Sequence, residues 1–460
     1  MRFDALANMT GGRLCTAEQS ERTFAGVSTD SRTVTKGQLF FAIRGERNDG
    51  HEFVDQAIAH GAAGVVVERG SFAAGQLPPG TAVVEVADTH AAMIHLAAEY
   101  LRRIDPKRLG ITGSNGKTTT KEFAFQLLNA CSGDVYRSPG NFNNLFGVPL
   151  ALFAMPASTR YAVLEMGISV PGEMARLASL VRPHVMTITN VGPTHLEFLG
   201  TVQDVAKEKL QAMQHAGPEA TLIVNADDPV LVSEARKIHA RMITFGTENF
   251  ADYMPESLRR SDGAVTAVIE GHGFRLPLFG RYQIHNLLAA YAMARVAGCS
   301  FDGVDTESIE LGTANMRGEV VKKRGISFIA DCYNANPESV KAGLVSFAEM
   351  SGGKRRVVIL GDMLELGSQA TGFHQEIGSR LAAYDFDLIV TVGPLSKHVV
   401  DTAHASGTAL DKLHHFADAK TCAEACASLL HEGDLVYLKG SRGIGLEAVL
   451  ERLNGGEGKA

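Results

Sequence analysis

The sequence predicts an α/β protein of three domains: a small N-terminal α/β domain, a central domain on a parallel sheet, and a C-terminal Rossmann-like domain. Three observations carry this reading. The chain has 460 residues, and at about 150 residues per domain that is roughly three domains. Beyond Pro106, short apolar runs closed by Gly, Asn or Asp alternate with helical patterns, as in a doubly wound parallel sheet. A Gly-, Lys- and Arg-rich stretch at 313–326 separates two such series.

The elements follow in order. In 1–105, the apolar runs "QLFFAIRG" and "AAGVVVERG" surround the helical "HEFVDQAIAHGA". Pro106 punctuates a linker, "RRIDPKR". In 106–314, "KRLGITG" precedes "KTTTKEFAFQLLNA", "RYAVLEMG" precedes "PGEMARLASLV", and "HVMTITNVG" precedes "TVQDVAKEKLQAMQHA". In 315–460, "ISFIADCYNANP", "RRVVILGDM", "FDLIVTVG" and "DLVYLKGSRG" read as strands of a second sheet. The tail "NGGEGKA" reads as frayed.

Composition excludes several classes. The chain is 45% apolar and 21% charged with a net charge of −7, which is globular and argues against a nucleic-acid binder. No apolar run reaches the length of a membrane span, and no signal-peptide h-region is visible. Cys15, Cys131, Cys299, Cys332, Cys422 and Cys426 are scattered without C-x-x-C spacing. Reduced thiols in a cytoplasmic protein are therefore expected, without membrane insertion, and a monomer.

The chemistry begins at "LGITGSNGKTTTKEF" (109–123). The common phosphate-loop spacing puts a glycine where this chain has Ile111, so the loop is a shorter variant. Gly113 and Gly116 let backbone amides of the Ser114–Asn115 turn approach phosphate oxygens at a helix N-terminus. Lys117 is placed to neutralise β/γ-phosphate charge, and Thr118, followed by Thr119, to ligate Mg²⁺. The next two strands end near Glu165 and His195. Each is either a polar residue at a strand end or a ligand to a cation beside Thr118. Lys207 and Lys209 lie on roughly opposite helix faces, so at most one points inward.

"TGSNGKTTT", "LEMG" and "THLEFLG…AKEK" resemble the central domain of the ATP-dependent Mur ligases of peptidoglycan synthesis, a P-loop-type ATPase domain that uses this short loop. The resemblance implies that Glu165 and His195 bind Mg²⁺. It also implies that Lys209, 14 residues after His195, is carbamylated and helps hold a second Mg²⁺. It extends to "STDSRTVTKGQLFFAIRGERNDGHEF", a domain for the UDP part of the substrate, with Ser28, Asp30, Ser31 and Arg32 as its polar groups. In "GRYQIHNLLAAYAMA" (280–294), Asn286 matches the family's adenine-contacting asparagine, while Tyr282 and Gln283 depart from the family's His and Asn. Arg317 and Asp331 match positions that meet ATP from the third domain, Arg317 stabilising charge during transfer.

Within the family, three stretches point to one branch. "GNFNNLFGVPL" (140–150) resembles a segment whose asparagines, here Asn141, Asn143 and Asn144, face a muramoyl-peptide. "DCYNANPES", with Asn334 and Asn336, and "GDMLELG" resemble that branch's C-terminal domain, which binds the dipeptide; "LKGSRGIGLE" is close to its K-G-S-R pattern, with Ile444 for Met. The implied reaction joins D-alanyl-D-alanine to a UDP-N-acetylmuramoyl-tripeptide through an acyl phosphate, with two Mg²⁺ ions. The tripeptide's third residue stays open between diaminopimelate and lysine. Nucleotide is expected to draw the third domain onto the centre, since its ligands come from both. Three rivals are a P-loop kinase or switch, a non-catalytic nucleotide-binding module, and a folylpolyglutamate-type ligase. The first leaves Lys209 and "DCYNANP" without a role, and the "STDSR" domain argues against the last.

Overall fold

The computed structural model describes residues 1–45, 48–71, 80–238, 241–261, 264–277, 282–312, 315–350 and 353–453. Gly280 and Arg281, the start of the 313–326 stretch at 313–314, and the tail 454–460 lie outside the described residues.

In the first domain, α1 (Phe3–Thr10), α2 (Val54–Ala59) and α3 (Thr89–Ile104) pack on five strands. These are β1 (Arg13–Leu14), β2 (Val27–Ser28), β3 (Leu39–Phe41), β4 (Gly64–Glu68) and β5 (Ala82–Val86). Their order is β1-β5-β4-β3-β2, parallel except for β1. Asp88 caps α3 by accepting from the Ala91 amide, satisfying an amide that the first helical turn leaves unpaired.

The central sheet is wholly parallel. Its strands are β6 (Lys107–Thr112), β7 (Val135–Arg137), β8 (Tyr161–Glu165), β9 (Val185–Ile188), β10 (Thr221–Asn225) and β11 (Arg241–Phe245), in the order β11-β10-β9-β6-β8-β7. Every residue of β9 and β10 is buried, which accounts for their unbroken apolar character. The helices are α4 (Lys117–Ser132), α5 (Gly147–Phe153), α6 (Glu173–Val181), α7 (Leu196–Leu199), α8 (Val202–Leu210), α9 (Ala212–His215) and α10 (Pro229–Ala235). Because β8 and β9 flank β6, the order reverses at β6, where open α/β sheets bind ligands beyond their strand ends.

A three-stranded antiparallel sheet follows that the sequence reading did not anticipate: β12 (Ser257–Ser261), β13 (Ala264–Ile269) and β14 (His272–Pro277). Glu270 and Gly271, both at positive φ, form the two-residue turn between β13 and β14. The helix α11 (Tyr282–Val296) then lies along α4, and its apolar residues are buried on all sides. This packing corrects the expectation of separate thiols: Cys131 at the end of α4 and Cys299 after α11 are joined as a disulfide, with Cα atoms 5.9 Å apart. The pairing was invisible in a spacing of 168 residues. The other four cysteines are free.

The third domain has β15 (Glu319–Lys323), β16 (Ile326–Ala330), β17 (Arg356–Gly361), β18 (Leu388–Val392), β19 (Leu413–Phe416) and β20 (Leu435–Lys439). They run β15-β16-β20-β17-β18-β19, parallel except for β15. Strand β15 occupies part of the 313–326 stretch that separates the two series. The helices are α12 (Pro337–Ala348), α13 (Ala370–Leu381), α14 (Lys397–Ala405), α15 (Ala419–Leu429) and α16 (Glu447–Arg452). No described helix is long and apolar enough to cross a membrane.

Candidate active site between the central and third domains

The carboxyl ends of the central and third sheets face each other across a cavity of about 890 Å³. On the central side the loop after β6 is held by the loop after β9. The Ser114 amide donates to the Asn190 carbonyl (3.0 Å), and the Asn115 amide to Asn190 Oδ1 (2.9 Å). Ser114 Oγ accepts from the Gly192 amide (2.9 Å). A side chain at Gly113 would run into Thr189 Oγ1, and one at Gly116, where φ is +82°, into Asn286 Oδ1. Those two glycines therefore let the loop sit between Thr189 and Asn286. Lys117 Nζ donates to the Gly113 carbonyl (2.6 Å). Burial pushes its pKa down to about 8, with Glu165 opposing and Arg317 adding to the shift.

Glu165, at the end of β8, is 1% exposed. Its Oε1 accepts from Asn143 Nδ2 (2.9 Å), while Oε2 has no hydrogen bond among the described residues. Burial alone would raise its pKa; the positive charges of Lys121, Arg317 and Lys117 and the Asn143 amide hold it below the usual carboxylate range. A buried carboxylate oxygen that accepts no hydrogen bond, with the Lys121 ammonium 3.5 Å away, suits a hard cation; Thr118, at the head of α4, is buried as well. Among the described residues no three His, Cys, Asp or Glu side chains gather into a metal-binding group.

His195 starts α7 with φ +54° and lines the cavity. Its Nδ1 lies 2.6 Å from Glu365 Oε2 of the third domain. Lys209 is 2% exposed on α8, whereas Lys207 pairs with Asp204 at the surface (3.2 Å). Burial, reinforced by Lys117, pulls the Lys209 pKa well below the ordinary lysine value against Glu208.

From the third domain, Arg317 stacks over the Tyr333 ring (4.2 Å). Asp331 is buried and accepts from Lys439 Nζ (2.9 Å) and the Tyr437 hydroxyl (3.1 Å). Asn336 caps α12 by accepting from the Ser339 amide (2.9 Å) and donates to Asn115 Oδ1 (2.7 Å). Asn115 Nδ2 returns a bond to Asn336 Oδ1 (3.3 Å). The third domain is thus seated directly on the phosphate loop.

The cavity gathers Ser114, Asn115, Gly116, Lys117, Thr119, Asn143, Asn144, Glu165, His195, Asn286, Arg317, Asp331, Asn334 and Asn336. Gly113, Thr118, Asn141 and Lys209 are not among its lining, and neither are Ser28, Asp30, Ser31 and Arg32. Asn144 Oδ1 accepts from the Gly147 amide at the start of α5 (2.7 Å). The departures from the family pattern near Asn286 have a local account: Gln283 Oε1 accepts from Asn286 Nδ2 (3.0 Å), and Tyr282 lines the cavity.

Sequence reasoning missed three residues here. Lys121, fully buried, donates to the Gly140 carbonyl (2.9 Å) and lies 3.5 Å from Glu165 Oε2. The signal was its place one helical turn after Lys117. Asp227 lines the cavity and accepts from His285 Nε2 (2.9 Å) and the Thr247 amide (2.7 Å). Its backbone partners lie 20 residues or more away, and no local pattern marks it. Glu365 is the third.

A glycine-dependent phosphate loop, a buried carboxylate with an oxygen that accepts no hydrogen bond, and an arginine from a facing domain define a nucleotide-using enzyme whose site lies between two domains. Known proteins narrow this class. Residues 23–103 match the description "Mur ligase family, catalytic domain", 111–294 "Mur ligase middle domain", and 316–442 "Mur ligase, glutamate ligase domain". The chain is 34% identical, over 97% of itself and 97% of the relative, to the UDP-N-acetylmuramoyl-tripeptide–D-alanyl-D-alanine ligase of Bacillus subtilis (strain 168). A crystal structure of MurF from Acinetobacter baumannii matches with TM-score 0.84 at 28% identity, over 97% of each chain. MurF ligase from Thermotoga maritima in complex with ADP matches with TM-score 0.80 at 29% identity, over 93% of this chain and 97% of that one. The chain belongs to the Mur ligase family.

Proposed function

We propose that this chain is the ATP-dependent ligase that joins D-alanyl-D-alanine to UDP-N-acetylmuramoyl-tripeptide, forming ADP and phosphate and completing the UDP-muramoyl-pentapeptide precursor of peptidoglycan. One observation carries the reading. A single cavity is lined by the phosphate loop, Asn143 and Asn144 of the asparagine loop, and Arg317 and Asn334 of the third domain, so three reactants have one meeting place. We further propose domains at 1–105, 106–314 and 315–460, action in the cytoplasm, and a monomer.

The reaction must bring a carboxylate against a triphosphate that repels it. Lys117 and Arg317 offset that repulsion, and Arg317 meets the charge that develops on the transferred phosphoryl group. The carboxylate oxygen takes the γ-phosphoryl and ADP leaves. The dipeptide amine then attacks the acyl carbon, losing a proton, and phosphate departs. Seating the third domain on Asn115 holds amine and acyl phosphate together, removing much of the entropic barrier. Thr118, Glu165, His195 and Lys209 would hold two Mg²⁺ ions, which supply charge neutralisation and orientation when bound. Carbamylation of Lys209 needs the neutral amine, which adds CO₂ and releases a proton. The burial that lowers its pKa supports that form.

The test is phosphate release from ATP with UDP-muramoyl-tripeptide, with and without D-Ala-D-Ala. Release is expected only with the dipeptide; release independent of it overturns the reading. A Lys209→Ala enzyme is expected to recover activity with short carboxylates, and failure to do so overturns the carbamate.

A further inference from the structure

We propose that Glu365 is a positioning residue for His195, so that the cation-binding corner of the site is complete only when the third domain is seated. This rests on the reading of His195 as a Mg²⁺ ligand. Glu365 Oε2 lies 2.6 Å from His195 Nδ1, a charge contact off the hydrogen-bond direction, between the loops after β17 and β9. Both residues hold left-handed backbone, at φ +61° and +54°, a conformation uncommon for residues with a Cβ. The Glu365 side chain is 53% exposed, so core packing does not explain its place.

The contact belongs to an interface with other members. A Cβ at Gly367 would lie 3.4 Å from the Glu197 Cα, and Phe373 packs against the cores of both domains. This patch is separate from the Asn115–Asn336 amide pair, so the third domain meets the central one at both the phosphate loop and the His195 loop.

The chemical consequence follows from the two ring nitrogens of histidine. A carboxylate beside Nδ1 favours the proton on that nitrogen by charge, leaving the Nε2 lone pair for a cation. Without Glu365 the proton can sit on either nitrogen. The carboxylate arrives only with the third domain, so cation affinity and domain seating become one equilibrium.

The experiment is direct binding of Mn²⁺ to the full chain with ADP, read by electron paramagnetic resonance without turnover. Wild type is compared with Glu365→Ala, Glu365→Gln, His195→Ala and the Glu365→Ala/His195→Ala double variant. Glu365→Ala is expected to weaken Mn²⁺ binding by about tenfold to a hundredfold without changing metal-free ADP binding or the melting temperature. Glu365→Gln keeps an acceptor oxygen and is expected to lose less. The double variant is expected to match His195→Ala, since Glu365 acts through that ring. Wild-type Mn²⁺ affinity in Glu365→Ala, or additive losses in the double variant, overturns the proposal. An inert His195→Ala overturns it together with His195 as a ligand. Phosphate release that ignores the dipeptide would instead strike the ligase reading and leave the Mn²⁺ result standing, so the two failures are distinguishable.

Discussion

The loop after β6 and the Ser28–Arg32 turn after β2 are built from the same kinds of residue, small hydroxyls with a cation, yet the fold uses them differently. In the first, Gly113 and Gly116 bring the backbone against Thr189 and Asn286, and Ser114 and Asn115 are tied back to Asn190. The first amides of α4 have no intrahelical partner and stand where Gly116, Lys117 and Thr119 line the cavity. In the second, the groups satisfy one another. The Asp30 amide donates to Ser28 Oγ (3.2 Å), Ser31 Oγ to Gln56 Oε1 (2.7 Å), and the Arg32 guanidinium to Asp30 (2.7 Å). A loop whose donors are left over marks a site; a turn whose donors are used reads equally well as structure.

Substitutions can break that comparison, and the largest effect belongs to the loop. Lys117→Ala and Glu165→Gln should each lower kcat by about 10²–10³-fold, the cost of removing one preorganised electrostatic contact, in phosphate-release assays at unchanged circular dichroism. Lys117 also sets a pH dependence. With its pKa near 8, the free enzyme loses the positive charge as pH rises past about 8, so kcat/KM for ATP should fall there. A flat profile to pH 10 would remove Lys117 from phosphate binding.

Next comes Gly116→Ala. A Cβ would meet Asn286 Oδ1, and φ +82° disfavours any side chain; strain of this kind costs about 1–3 kcal/mol. Nucleotide titration should show at least tenfold weaker ATP binding, and unchanged affinity would mean that the glycine serves the turn alone. Asn115→Ala and Asn336→Ala sharpen the comparison further. Both remove the interdomain amide pair, but only Asn336→Ala also loses a helix cap, worth about 1 kcal/mol. Small-angle scattering should give both the same larger radius of gyration, while thermal melts separate them.

How much of this the sequence disclosed depends on where the partners lie. The loop, Glu165 and His195 were legible because each closes or follows an apolar strand, and parallel sheets gather such strand ends without long-range information. Lys209 was singled out only through resemblance, since spacing made Lys207 and Lys209 equivalent, and burial separates them. Asn336 was read as a substrate contact, and its side chain is engaged with Ser339 and Asn115; a cap and a ligand look alike in a string of residues. Asp227, Glu365, the Cys131–Cys299 pair and the β12–β14 sheet depend on contacts across long separations or between domains, and periodicity carries none of these.

The smallest effects belong to the Ser28–Arg32 turn, and they decide whether it is a site at all. Arg32 is 78% exposed on its side chain, so Arg32→Ala should leave the melting temperature unchanged. If Arg32 meets the substrate diphosphate, KM for the UDP-substrate should rise roughly tenfold with kcat held, the signature of lost uniform binding. Asp30 is the control. Its bond from Arg32 draws its pKa down to about 2. A depressed carboxylate pKa stabilises the fold above the unfolded value near 4, and that stability is lost as pH falls toward 2. The pair is exposed and screened, so Asp30→Asn should cost under about 1 kcal/mol at neutral pH and nothing below pH 2. A KM that rises with Arg32→Ala while Asp30→Asn leaves it alone makes the turn a binding element in which Arg32 acts without Asp30. Equal, negligible effects from both would leave the turn a structural one.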